Sequence, residues 1–166
     1  ALYLTPGASF RIGLYADIAR LAWLDAAKGL KVDGAFDVAH NSTVRGVATS
    51  GWRGRSFSLG IADAVTVLAC EAAQADAAAT MIANQVDCDD EAIVRRPACE
   101  LKDDTDLGDR PVTVQVGPLS PAKAQSALER GARYAQSLME RDLITQAMLS
   151  LQGRSRIVVP SKQRLS

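Results

Sequence analysis

Alanine occupies 28 of the 166 positions, and its placement constrains the fold more than any other feature of the chain. Seven alanines fall in EAAQADAAATMIANQV at 71–86, a stretch of helical character. A helix so poor in large side chains is a narrow cylinder that can approach a sheet closely, with Met81 and Ile82 supplying its larger contacts. A second helix is expected over 121–141. Ser120 is a good N-cap, and Pro121 sits at the first helical position, where its missing N–H costs nothing. Ala124, Ala127, Leu128, Ala135, Leu138 and Met139 share one face there, with Lys123, Glu129, Arg130, Arg133 and Glu140 mostly elsewhere.

Runs that prefer strands surround these helices, at 9–15, 30–33, 44–49, 64–69, 112–116, 144–151 and 156–159. Gln152, Gly153 and Arg154 would turn the last pair into a hairpin. Strands separated mostly by turns, with two helices interposed, predict an α+β fold: a mainly antiparallel sheet packed against helices. Residues 16–27 read as a short helix. Residues 87–111 read as a polar connection with nine acidic and four basic side chains, and a connection of that length is usually functional or partly disordered. Its acidic run at 103–109 lacks the spacing of a calcium loop and reads as a solvated loop. One domain is expected over 1–160, with a frayed tail at 161–166.

Composition removes several functions. A hydrophobic fraction of 48% supports a core, and no run of 18 apolar residues is available to span a bilayer, so no membrane partner is expected. Nineteen acidic and nineteen basic side chains cancel, which leaves no electrostatic basis for binding nucleic acid. A single histidine, His40, and three cysteines form no C-x-x-C or H-x-x-x-H pair, against a zinc site. Cys70, Cys88 and Cys99, odd in number and irregular in spacing, read as reduced thiols of a cytoplasmic protein. No basic leader precedes Pro6 and Gly7, so no signal peptide is expected.

The richest local signal is RGVATSGWRGRSFSLGIAD at 45–63. Its glycines let backbone approach an anion, and Thr49, Ser50, Gly51 and Ser56 offer hydroxyls and N–H groups. Arg53 and Arg55 can fork onto phosphate. That chemistry suits a clamp for phosphate or carboxylate, hence for a small anionic ligand. The same residues also suit a glycine-rich hairpin whose arginines face water. Asp63 is the only carboxylate close to this turn in sequence and is the candidate base, with turn capping as its plainer role. On the first helix, Asp76 and Thr80 lie four residues apart, hence on one face. A carboxylate and a hydroxyl on adjacent turns can hold Mg²⁺, with water or substrate phosphate completing the shell. A solvent-facing pair accounts for the spacing equally simply.

Three motifs, GVATSG at 46–51, SLGIADAVTVLA at 58–69 and QADAAATMIAN at 74–84, together resemble the ApbE-like superfamily. That superfamily includes flavin transferases that move FMN from FAD onto a protein threonine. The nearer likeness is to a subgroup with the run GVATSGWRGRSFSLGIAD, present at 46–63, and a later DLGDRPVTV, present at 106–114. The resemblance spans about residues 1–159. It implies a T-fold-like layer, Mg²⁺ held by Asp76 and Thr80, and FAD or a related nucleotide as ligand.

Members of that family also carry an upstream half, with a lysine-glycine segment that serves the metal and an N-x-G-G-D segment that touches flavin. The resemblance therefore implies that this chain is the C-terminal part of such a domain. The transferases' H-I-x-D-P motif is replaced by Arg-Ser-Phe-Ser-Leu-Gly at 55–60, so the transfer reaction is not carried over. Two readings follow: an ApbE-like enzyme of flavin-related transfer chemistry, or a non-catalytic binding or accessory protein on the same fold. Strands at 144–151 and 156–159 suit a sheet shared with a second copy, which makes a homodimer a further expectation.

Overall fold

The computed structural model describes residues 2–3, 9–14, 34–39 and 41–160. Among these residues nine strands and two α-helices follow one another as β1 (Leu2–Tyr3), β2 (Phe10–Leu14), β3 (Gly34–Val38), β4 (Gly46–Ser50), β5 (Ala64–Ala69), α1 (Ala72–Gln85), β6 (Ile93–Pro97), β7 (Pro111–Val116), α2 (Pro121–Glu140), β8 (Gln146–Leu151) and β9 (Arg154–Val158). The main sheet runs β1-β4-β5-β8-β9, and every neighbouring pair in it is antiparallel. Two separate two-stranded antiparallel pairs, β2–β3 and β6–β7, complete the strands. The architecture is α+β, as the alternation of strand runs and helices predicts.

Strand alternation gives the sheet two faces. One carries Val65, Val67, Ala69, Ala147, Leu149 and Val158 and packs against α1 and α2, forming the main core with Ile82, Leu128 and Leu138. The other carries Val47, Leu68 and Met148, which cluster with Phe36 and Val38 of β3. Small residues set how closely the helices dock. A Cβ on Gly46 would lie 2.3 Å from the Glu71 carbonyl oxygen, and one on Gly131 would lie 2.4 Å from Val86 Cγ2. The alanines of α1 serve the same end, with Ala75, Ala78, Ala79 and Ala83 buried alongside Ile82. In α2 the Ser120 hydroxyl accepts from the Lys123 N–H and Pro121 occupies the first turn, as the capping pattern predicts.

The stretch 87–111 departs from the expected polar connection. It contains β6, which pairs with β7 around a bulge at Val94 and Arg95, and a short 3₁₀ turn over Ala98–Glu100. Arginines at 95 and 96 interrupt the apolar alternation of this strand, and half-burial of its inward residues is all the sheet requires. The acidic run remains an exposed loop, closed at its base by the Cys99 N–H donating to the Gly108 carbonyl. The expected helix at 16–27, the strand at 30–33, His40 and the tail at 161–166 lie outside the described residues. No helix among the described residues is long and apolar enough to cross a membrane. Cys70, Cys88 and Cys99 are all free thiols.

Candidate functional site

The glycine-rich turn leaves β4 at Ser50 and returns to β5 at Ala64. Gly51 is buried against the returning chain, where a Cβ would come within 2.5 Å of the Asp63 carbonyl oxygen. That closeness lets the Trp52 N–H donate to the Ala62 carbonyl at 3.0 Å, and the Gly54 N–H to the Gly51 carbonyl at 3.1 Å.

Asp63 is the hub of the turn. Its Oδ1 accepts from Arg53 Nε at 2.8 Å and from the Trp52 indole at 3.2 Å, while Oδ2 accepts from the Gln152 N–H at 2.6 Å. The carboxylate side chain is only 8% exposed. Three donors converge on its two oxygens, so the carboxylate is held as an acceptor. The Arg53 guanidinium also lies over the Trp52 ring, 4.9 Å from its centroid. Arg53 is thus committed to building the turn.

Arg55 and Ser56 are exposed further along it, and Arg55 forms no ion pair among the described residues. Thr49 is exposed on β4, its hydroxyl 2.8 Å from that of Thr66, which is buried. Ser50, half-buried, follows on the opposite face of the strand.

The far end of the turn is laced to α1. Asn84 Oδ1 accepts from the Leu59 N–H at 3.0 Å, and the Ile61 N–H donates to the Val86 carbonyl at 2.9 Å. The Thr113 N–H of β7 donates to the Ser58 carbonyl at 2.9 Å. Gly60 makes this possible, since a Cβ there would lie 2.2 Å from the Ala83 carbonyl oxygen. Asp76 and Thr80 are exposed on α1, and Asp76 already has a partner within the chain. Asp76, Thr80 and Asn84 follow at steps of four, so they line one side of the helix over about 12 Å of its length. Asn84, which sequence reasoning missed, thus links the 58–61 end of the turn to the helix that carries Asp76 and Thr80. Its signal was present: an asparagine late in a helix of alanines, in register with Asp76 and Thr80.

Gln152 was missed as well. It adopts φ 47° in the two-residue turn between β8 and β9, beside Gly153 at φ 76°. A left-handed glutamine costs about 1 kcal/mol. Three hydrogen bonds offset it: the one to Asp63, one from the Leu119 N–H to Oε1 and one from Nε2 to the Gly117 carbonyl. The glycine-rich turn is thereby tied to the approach to α2.

Nearer the β6–β7 hairpin, two carboxylates respond oppositely to acid. Burial pushes Asp87 up, outweighing the nearby guanidiniums of Arg95 and Arg130. The hydrogen bond from Lys123 holds Asp90 down. Asp87 therefore favours folding while protonated, below the ordinary carboxylate range, and that contribution is lost as pH rises through its raised folded value. Asp90 contributes stability above the ordinary range, lost as pH falls through its lowered value. Relative to the parent chain, Asp87→Asn should gain stability as pH rises across the carboxylate range, and Asp90→Asn should lose it. Urea midpoints at a series of pH values measure both.

The family model described as AbpE bacteria matches residues 1–157. The chain belongs to this family. Among its relatives, the UPF0280 protein of Methanothermobacter thermautotrophicus is 49% identical over 74 residues, covering 44% of this chain and 29% of that protein. The UPF0280 protein of Methanopyrus kandleri is 56% identical over 63 residues, covering 37% of this chain and 26% of its own length. The chain thus matches less than a third of the length of either relative. No solved structure matches it. Within the AbpE family, the geometry above describes a turn pinned by Asp63 and Asn84, with the Asp76 and Thr80 side of α1 leading away from it.

Proposed function

We propose that this chain is the part of an AbpE protein that grips the phosphate-bearing portion of a nucleotide-like ligand, with FAD the leading case and Mg²⁺ at Asp76 and Thr80. The observation that carries this reading is the face of α1 on which Asp76, Thr80 and Asn84 succeed one another, with Asn84 holding the end of the turn that exposes Arg55 and Ser56. One carboxylate and one hydroxyl suit Mg²⁺, which keeps most of its shell for water and phosphate oxygens. When bound, Mg²⁺ neutralises phosphate charge. The chain's own part is to orient: Arg55 and Ser56 meet anionic oxygens, and Asp63 keeps Arg53 and Trp52 in place within the turn. The runs at 46–63 and 106–114 support membership of the ApbE-like subgroup that shares them, and three free thiols suit a cytoplasmic setting.

Binding without catalysis is the second reading. It is favoured by Asp63, whose two oxygens already serve three donors and leave the turn without a free base. The H-I-x-D-P motif of the transferases is also missing from 55–60. Flavin fluorescence titrations of Arg55→Ala with FAD test the shared premise. A lost charge-assisted contact of about 1.5–3 kcal/mol should weaken binding roughly tenfold or more. The same affinity in parent and variant would remove Arg55 and the turn from the ligand site.

A further inference from the structure

Strand β9 ends the main sheet, and among the described residues it pairs only with β8. Its two-residue connection makes Leu151 and Arg154 the closing pair of the hairpin, which exchanges both main-chain hydrogen bonds. Arg154, Arg156 and Val158 therefore turn their N–H and C=O groups toward β8, while those of Ser155 and Ile157 face outward. Beside this edge a groove of about 410 Å³ runs between β9 and α2. Ile157 and Val159, at its rim, are 50% and 51% exposed. Val158 points into the helix-side core, so alternation puts Arg154 and Arg156 on the helix side and Ser155 and Ile157 on the other.

We propose that this edge takes up an extended segment with acidic and apolar residues in alternation, which adds to the sheet as a strand beside β9. Charge selects the occupant. Arg133, Arg154 and Arg156 stand exposed at the groove and its edge with no ion-pair partner among the described residues, against one carboxylate, Glu129. An added strand with carboxylates on the helix side would meet these guanidiniums, and apolar side chains on its other side would meet Ile157. Its main chain would satisfy the outward groups of Ser155 and Ile157, as in other recognition by strand addition. A second copy of the chain is the poorer occupant, because two-fold pairing of β9 with itself sets two arginine-bearing rows on the same side. Lys162 and Arg164, which follow β9 in sequence, are of the same sign as the groove.

The test uses two capped peptides, EVEVEV and KVKVKV, with binding and amide hydrogen exchange followed by NMR. EVEVEV should bind, slow exchange at Ser155 and Ile157, and weaken as ionic strength rises. Arg154→Glu with Arg156→Glu should lower its affinity roughly tenfold or more, while the paired change to lysine retains binding. Both variants alter exposed side chains, so folding is checked by their unchanged unfolding midpoints. Equal binding of the two peptides, or no added protection at β9, would overturn the proposal. So would a β9-dependent dimer in sedimentation that excludes EVEVEV.

Discussion

Gly60→Ala should destabilise the chain by about 3 kcal/mol, toward the upper end for overpacking by one methyl group. The new Cβ would sit 2.2 Å from the Ala83 carbonyl oxygen and 2.8 Å from that of Val86. Both obstacles are backbone, so no side-chain rotation relieves them. Either the end of α1 or the segment 58–61 has to move, and both are held by the Leu59–Asn84 and Ile61–Val86 hydrogen bonds. Chemical denaturation measures the loss, and hydrogen exchange at Leu59 and Ile61 locates it. A variant as stable as the parent would mean that the turn does not dock on α1 as described.

Asp63→Ala is expected to cost about 3 kcal/mol, because it strands several donors at once instead of one. The Gln152 N–H loses its 2.6 Å partner while held in a left-handed conformation, and the Trp52 indole and Arg53 lose theirs. Arg53 is about half exposed and recovers water readily, so most of the cost falls on Gln152 and Trp52. Asp63→Asn should recover part of it, since the amide oxygen still accepts. Exchange should rise at Trp52, Leu119 and Gln152 together, although these residues are remote in sequence. An isolated effect at Trp52 would show that the carboxylate does not bridge the two turns.

Much of this fold is legible in the residues. The alanines at 72–79 and the Ser120–Pro121 start mark both helices, because those signals are local and the tertiary structure has no reason to override them. The strand at 64–69 is legible in full, being a run of apolar and β-branched residues in the middle of the sheet. Strand β6 is not, since arginines on a half-buried hairpin erase the alternation that marks a strand. Within the site, sequence places Asp63 near the turn as the sole nearby carboxylate, and the structure gives that carboxylate three donors. What separates Arg53 from Arg55 is invisible in sequence, because it depends on a carboxylate ten residues away from Arg53 across the turn. Gln152 lies still further off, at a separation of 89 residues from Asp63, and only the pairing of β5 with β8 brings them together.

On the proposed function, one surface joins the turn between β4 and β5 to the Asp76 and Thr80 face of α1 around a phosphate-bearing ligand. The most direct measurement is a fluorescence titration of the longest natural form of the protein with FAD, in the presence and absence of Mg²⁺, beside its Asp76→Ala variant. Tight binding that requires Mg²⁺, and that loses its Mg²⁺ dependence in Asp76→Ala, is the predicted result. No binding of FAD by the parent protein, or binding indifferent both to Mg²⁺ and to Asp76, would contradict it.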